Sequence, residues 1–322
     1  RCQREGRGFG SHCPLHKSMF NYLIKQFQNI LNNKDIREYK KNFFYYFLFR
    51  LVRKKLQKNL KVKIYNFYIW ASYQKNKQSH SILRKCDFED QQELKLIKNI
   101  YNNKKIFFFD CGANFGFYSL FTSALSVDNK IFSFEASPAT FDDLKKNVIL
   151  NKFKNIALIN KAISDKLGSE ISFTESRNDW ESSISNTDFE VLRSIKIGTL
   201  TLDSFLAKQK EDFNNYNMII KLDVEGHEMN VLKGGLELIK KYSPIIIIEF
   251  SKFIKTEDYA EIRKFLNLNS YVIYDSKYKE INMDIVTNRL NKLPKSMFGI
   301  GNNFLLKKNS HFENLIKDMR FN

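Results

Sequence analysis

Three short stretches carry side chains that can do chemistry together. The first is Phe108-Phe-Asp-Cys-Gly-Ala-Asn-Phe-Gly116, where an apolar run ends in Asp110 and a loop holding Gly112, Ala113, Asn114 and Gly116 opens a helix. Glycines there let the backbone turn tightly and approach a ligand closely. In an open α/β sheet such a loop lies at the carboxyl end of a strand, where ligands bind. Two glycines fall short of the three that a dinucleotide pyrophosphate needs. The Asp110 carboxylate would repel a pyrophosphate but suits a cationic amine. The second stretch ends in Glu135, 25 residues after Asp110 and at the end of the next apolar run. A carboxylate there can accept both hydroxyls of a ribose. An amino-acid end and a ribose without a pyrophosphate describe S-adenosylmethionine.

The third stretch is Ile219-Ile-Lys-Leu-Asp-Val-Glu-Gly-His-Glu228. An acidic turn before a helix can be a capped helix start, since carboxylates favour the positive end of the dipole. A cap alone does not need Lys221, Asp223, Glu225 and His227 together, so this stretch is read as part of an active site.

The elements that must position these residues alternate. Apolar runs at Ile106–Phe109, Lys130–Phe134, Ile156–Asn160, Met218–Leu222, Pro244–Phe250, Tyr271–Tyr274 and Asn303–Leu306 read as seven strands. Helices are expected at Glu89–Asn102, Phe117–Ala124, Ala139–Asn151, Met229–Tyr242 and Glu257–Leu268 from apolar residues at helical spacing. Alternating strands and helices predict a doubly wound α/β domain.

Upstream, Lys61–Tyr73 reads as a strand and residues 19–59 as helix. Asn42-Phe-Phe-Tyr-Tyr-Phe-Leu-Phe49 is apolar all round and precedes Arg50, Arg53, Lys54 and Lys55. It reads either as a helix packed on the domain or as an interfacial helix on anionic headgroups. Residues 1–18 are rich in Arg, Gly and Cys, unlike the Lys/Asn/Ile-rich text that follows, and read as a disordered or extraneous leader. Cys2, His12, Cys13 and His16 fit no structural zinc spacing well.

Six segments in order resemble the FkbM-type methyltransferase family. They are Asp110-Cys-Gly-Ala-Asn-Phe-Gly116, Phe134-Glu-Ala-Ser-Pro138, Asn160-Lys-Ala-Ile-Ser-Asp165, Thr199-Leu-Thr-Leu-Asp-Ser-Phe205, Lys221-Leu-Asp-Val-Glu-Gly226 and Asn302-Asn-Phe-Leu-Leu306. The resemblance implies an α/β class I methyltransferase fold, Rossmann-like, with a mostly parallel seven-stranded sheet behind an N-terminal, mainly helical basic extension. The expected parts are a leader (1–18), the extension (19–84), the methyltransferase domain (85–310) and a tail (311–322). It implies O-methylation of a hydroxyl on a sugar, glycan or related metabolite, with S-adenosylmethionine as cofactor. Asp110, Gly112, Ala113, Asn114 and Gly116 would hold the methionine end and Glu135 the ribose. Ala162 and Ser164 would lie at the adenine edge, and Asp223 beside the cofactor. Cys111 departs from the small aliphatic residue usual in the family and is read as structural.

Methyl transfer to oxygen is an in-line displacement, so much of the catalysis is positioning, and the alcohol's proton must go somewhere. Asp223, Glu225 and His227 are the candidate bases. His227 has the best-matched intrinsic pKa, and Asp223 ends its strand. Lys221 would orient a substrate oxygen or pair with Glu225. Glu249 adds a carboxylate that with Asp223 leaves a divalent metal open, although no metal is assigned. Trp180 would stack on a sugar face or pack on the surface.

Composition bounds the alternatives. The 322 residues are 43% hydrophobic and 27% charged, which excludes a collagenous or wholly disordered chain. No apolar run reaches the length of a membrane-spanning helix. Four cysteines make no disulfide framework and suggest a reducing compartment, hence a cytoplasmic protein, with a peripheral place at the inner membrane face as a variant. The net charge of +18 is concentrated in residues 1–100, which carry +15. The excess reads either as a Lys-rich compositional bias or as a meeting with something anionic, such as a membrane surface through residues 40–63; nucleic acid is the lesser alternative, as in an RNA methyltransferase. A non-catalytic binding protein that kept the fold and a nicotinamide dehydrogenase are the remaining rivals.

Overall fold

The computed structural model describes residues 22, 25–26, 33–41, 60–72, 77–101, 104–176, 191–210, 213–294, 297 and 299–320. The leader, most of the 19–59 segment with its aromatic run, and Trp180 lie outside the described residues. The chain divides into two compact units, Arg1–Phe88 and Glu89–Asn322.

In the first unit the described elements are α1 (Arg37–Lys41), β1 (Leu60–Ile64), β2 (Phe67–Ala71) and α2 (Lys77–Lys85). The single strand expected over Lys61–Tyr73 is an antiparallel hairpin with Ile64 opposite Phe67. Its inward residues show why. Val62 and Ile64 are buried at even positions, Phe67, Ile69 and Ala71 at odd ones. A two-residue turn reverses the phase, and Tyr65 takes φ 51° to make it.

The second unit is built on an eight-stranded sheet. Its strands are β3 (Lys105–Cys111), β4 (Lys130–Phe134), β5 (Ile156–Ile159), β9 (Tyr216–Leu222), β10 (Ile245–Ser251), β11 (Tyr271–Tyr274), β12 (Glu280–Ile281) and β13 (Gly299–Lys307). They lie in the order β12-β11-β13-β10-β9-β3-β4-β5. β5, β4, β3, β9 and β10 run parallel, and β13 is antiparallel to both β10 and β11. All seven expected strands are present. The eighth, β12, is a two-residue edge strand, too short to leave a periodic signal.

The helices are α3 (Gln91–Tyr101), α4 (Phe117–Leu125), α5 (Pro138–Asn151), α6 (Leu202–Ala207), α7 (Glu228–Gly234), α8 (Leu236–Tyr242), α9 (Thr256–Asn269), α10 (Met283–Asn291) and α11 (His311–Met319). The helix expected over Met229–Tyr242 is thus two, broken between Gly234 and Gly235. A side chain at Gly234 would stand 2.0 Å from the Ser164 carbonyl oxygen, so the glycine lets this segment lie against another backbone. The segment between β5 and β9 holds a side sheet of β6 (Ala162–Ile163), β7 (Glu170–Ser176) and β8 (Val191–Leu200), not anticipated from sequence.

Alternation along the strands gives the sheet two unlike faces. Phe107, Phe109, Cys111, Ile220, Leu222, Ile246, Ile248 and Phe250 are buried in one apolar cluster. The opposite side chains at the strand ends include Asp110, Lys221, Asp223 and Glu249, and this polar set becomes the site.

Candidate active site

β3, β4 and β9 end side by side because Cys111 is in register with both Phe134 and Leu222. The loop after β3 is stitched to β4: the N–H groups of Gly112 and Ala113 both donate to the Phe134 carbonyl, at 3.0 and 2.9 Å. Asn114 is left-handed, at φ 53°. That turns its N–H onto Glu135 Oε2 at 2.8 Å, while Ser137 N–H donates to Oε1 at 2.9 Å. Burial pushes the Glu135 carboxyl up to about 7 against these two donors.

Gly112 has φ 80°, and a Cβ there would lie 1.9 Å from the Asp223 carbonyl oxygen. A Cβ on Gly116, at φ 93°, would lie 2.4 Å from Leu144 Cδ1. Both glycines therefore serve tight turns, as the sequence suggested, and in addition close approach within the protein itself.

Asp110 is buried, with Oδ2 accepting from the Ser119 hydroxyl at 2.5 Å. Among the described residues its buried Oδ1 has no hydrogen-bond partner. Burial raises this carboxyl, and the positive charge of Lys221 opposes the rise. The orphaned oxygen is the structural observation that a cationic amine would satisfy. The residues here thus fit the amino-acid and ribose ends of S-adenosylmethionine.

Lys221 pairs with Asp223, and not with Glu225 as one reading of the sequence had it. Its Nζ lies 2.8 Å from Asp223 Oδ2, and the two side chains are 3% and 21% exposed. Burial pushes Lys221 down, but Asp223 and Asp110 more than offset it and hold the ammonium above its ordinary range. Asp223 N–H donates to the Cys111 carbonyl at 3.1 Å, which ties the pair to the loop. Glu225 is left-handed, at φ 52°. Burial, then Asp223 and Glu249, push its carboxyl well up. Glu249 is raised to about 8, by burial first and Asp223 second.

His227 is placed elsewhere. Its Nε2 lies 2.9 Å from Ser164 Oγ, the residue expected at the adenine edge. Burial lowers its pKa, so the ring is neutral at pH 7. Among the described residues no hydrogen bond joins it to Lys221 or Asp223. Ala162 is buried in β6, which pairs with β8. Cys111 is buried in the apolar cluster, and its thiol is pushed up by burial, which agrees with a structural part.

Four residues of this neighbourhood were missed as site residues. Tyr118 Oη donates to Asp90 Oδ2 at 2.7 Å, and Lys221 Nζ stands 4.8 Å over the Tyr118 ring. Asn302 Nδ2 lies 3.5 Å from Tyr118 Oη. Glu93 is raised to about 7 by burial and then by Asp90. Asp90 and Glu93 sit at the start of α3, where acids are ordinary, and nothing in their spacing shows that they turn inward. Among the described residues no group of three or more His, Cys, Asp or Glu is placed to hold a metal ion.

The methyltransferase FkbM domain matches residues 110–273. No curated protein sequence matches the chain. Solved structures give low scores. The FkbM methyltransferase of Methylobacillus flagellatus KT has 14% identity and a TM-score of 0.38, over 70% of this chain and 52% of that one. The chain thus spans about half of that relative. TYW2 of M. jannaschii, in complex with AdoMet, has 10% identity and a TM-score of 0.39, over 78% and 87%. SMU.1697c of Streptococcus mutans, in complex with SAH, has 10% identity and a TM-score of 0.35, over 67% and 96%. The family match covers half the chain and takes in Asp110, Glu135, Lys221 and Asp223, so the chain belongs to the FkbM methyltransferases.

Proposed function

We propose that the chain is an S-adenosylmethionine-dependent O-methyltransferase whose acceptor is a hydroxyl of a sugar, glycan or related metabolite. One arrangement carries the reading. Two buried acids at adjoining strand ends, Asp110 and Glu135, stand beside a lysine–aspartate pair at the next strand tip. Asp110, Ala113 and Asn114 would hold the amino-acid end of the cofactor. Glu135 would take the ribose hydroxyls, and Ala162 with Ser164 the adenine edge. The cofactor supplies a methyl group activated on a sulfonium.

The protein's own part is to place the acceptor oxygen and receive its proton. Asp223 is the residue assigned to that proton. Its carboxylate is held by Lys221 through Oδ2 and is still partly exposed, so an acceptor can reach it. Glu225 and Glu249 neighbour Asp223, and burial together with its charge raises both carboxyls toward the neutral form. His227, neutral and engaged with Ser164, serves the adenine side of the site. The sugar or glycan class rests on the family's chemistry together with carboxylates suited to accept hydroxyl hydrogen bonds. The membrane-surface role of residues 40–63 rests on charge; no described helix is long and apolar enough to cross a membrane.

The test has two arms. Calorimetry with S-adenosylmethionine should show saturable heat, lost in Asp110→Ala. Labelled methyl transfer to cell-envelope glycan extracts should be lost in both Asp110→Ala and Asp223→Ala. Equal labelling of the wild type and both variants would remove the site assignment, and absence of binding heat would remove the cofactor.

A further inference from the structure

The buried ammonium of Lys221 lies within electrostatic reach of several acids: Asp223, Asp110 and Asp90 act on it most strongly, and Glu93, Glu225 and Glu249 feel its charge as well. It is hydrogen-bonded to one of them, Asp223. Asp110 spends one oxygen on Ser119. Asp90 is a further competitor on a different element, and the group that occupies it is the Tyr118 hydroxyl, at 2.7 Å. The ring of the same residue lies under the ammonium, 4.8 Å away, where a cation is attracted to the π face. Tyr118 is itself buried, fixed in the first turn of α4 directly after the cofactor loop.

We propose that Tyr118 is a positioning residue: its hydroxyl takes up Asp90 and its ring carries Lys221, so that Lys221 stays on Asp223. The inference rests on the assignment of Asp223 as the proton acceptor. Removing the hydroxyl releases the Asp90 carboxylate, which then competes for Lys221 and draws it away from Asp223. Misplacing a reacting group by about 1 Å in this way costs up to about a hundredfold in rate.

The experiment compares wild type, Tyr118→Phe and Tyr118→Phe/Asp90→Asn. In labelled methyl transfer to glycan extract, Tyr118→Phe should lose at least about tenfold in kcat, with KM for S-adenosylmethionine within about twofold of wild type. The double variant should recover, because the competing charge is gone; a packing defect would not be cured by a second substitution. A second readout needs no acceptor. In protein labelled with 15N-lysine, the buried Lys221 ammonium should give a persistent resonance, assigned by its loss in Lys221→Met. That resonance should move in Tyr118→Phe and return in the double variant. Unchanged kcat and resonance in Tyr118→Phe, or a double variant no better than the single, would overturn the proposal. A wild type that binds no S-adenosylmethionine would instead overturn the functional reading, while the resonance still reports on Tyr118.

Discussion

Two residues show how closely chemistry and packing are joined at this site. The Glu135 carboxylate already holds the N–H groups of Asn114 and Ser137, so it shapes the loop besides the ribose contact proposed for it. Glu135→Gln puts an amide N–H₂ where one of these donors points. Charge-assisted hydrogen bonds contribute about 1.5–3 kcal/mol. S-adenosylmethionine binding by calorimetry should therefore weaken by about ten- to a hundredfold; unchanged affinity would clear Glu135 of contact with the cofactor. Gly112 is a different case. With φ 80° and the Asp223 carbonyl oxygen 1.9 Å from the Cβ position, Gly112→Ala meets both backbone strain and a clash. A loss of at least ~2 kcal/mol is expected, seen as a melting point lower by about 4 °C or more.

At the scale of elements, helix starts deliver the site. α5 begins at Ser137, whose hydroxyl accepts from Thr140 N–H, with Pro138 in the first turn. Ser137→Ala should cost about 1 kcal/mol of stability. Cofactor affinity should hold, because the contact with Glu135 comes from the Ser137 backbone. Denaturant melts together with calorimetry separate the two effects. The break between α7 and α8 acts the other way. Gly234→Ala would drive a methyl group into the Ser164 carbonyl and displace the residue that holds His227. Both melting temperature and S-adenosylmethionine affinity should fall; a drop in the first alone would detach Ser164 from the cofactor site.

For the whole molecule the accumulated burial of acids sets the response to pH. Glu93, Glu135 and Glu228 are raised to about 7 and Glu249 to about 8, each chiefly by burial. The folded protein therefore keeps protons that the unfolded chain releases near pH 4.5. The stability these groups contribute is present below that pH and is lost as pH rises toward 8. Denaturation midpoints should fall across this window once other groups are allowed for by the Glu249→Gln variant, which should flatten the slope. Binding a cationic cofactor favours the ionised carboxylates. Affinity for S-adenosylmethionine should therefore rise between pH 6 and 8, and binding at pH 7 should release protons, read from calorimetry in buffers of different ionisation heat. A pH-independent affinity without proton release would contradict the assignment of Glu135 and Glu249 to the site.

The order of strands and helices was legible because a doubly covered parallel sheet demands short runs like Ile106–Phe109 and Ile245–Ile248, apolar on both faces. The strand-end acids Asp110, Glu135 and Asp223 were legible because their positions follow from where those runs stop. β12 and the side sheet left too few residues in phase to be read, and Gly234 marked a helix break only once its neighbour across the fold was known. Which side chains meet depended on three-dimensional packing. Lys221 found Tyr118, His227 found Ser164, and Asp90 turned inward, because these partners lie on different elements whose contact no spacing along one chain encodes. Local pattern determined where charge could be placed; tertiary structure alone decided which charge neutralises which.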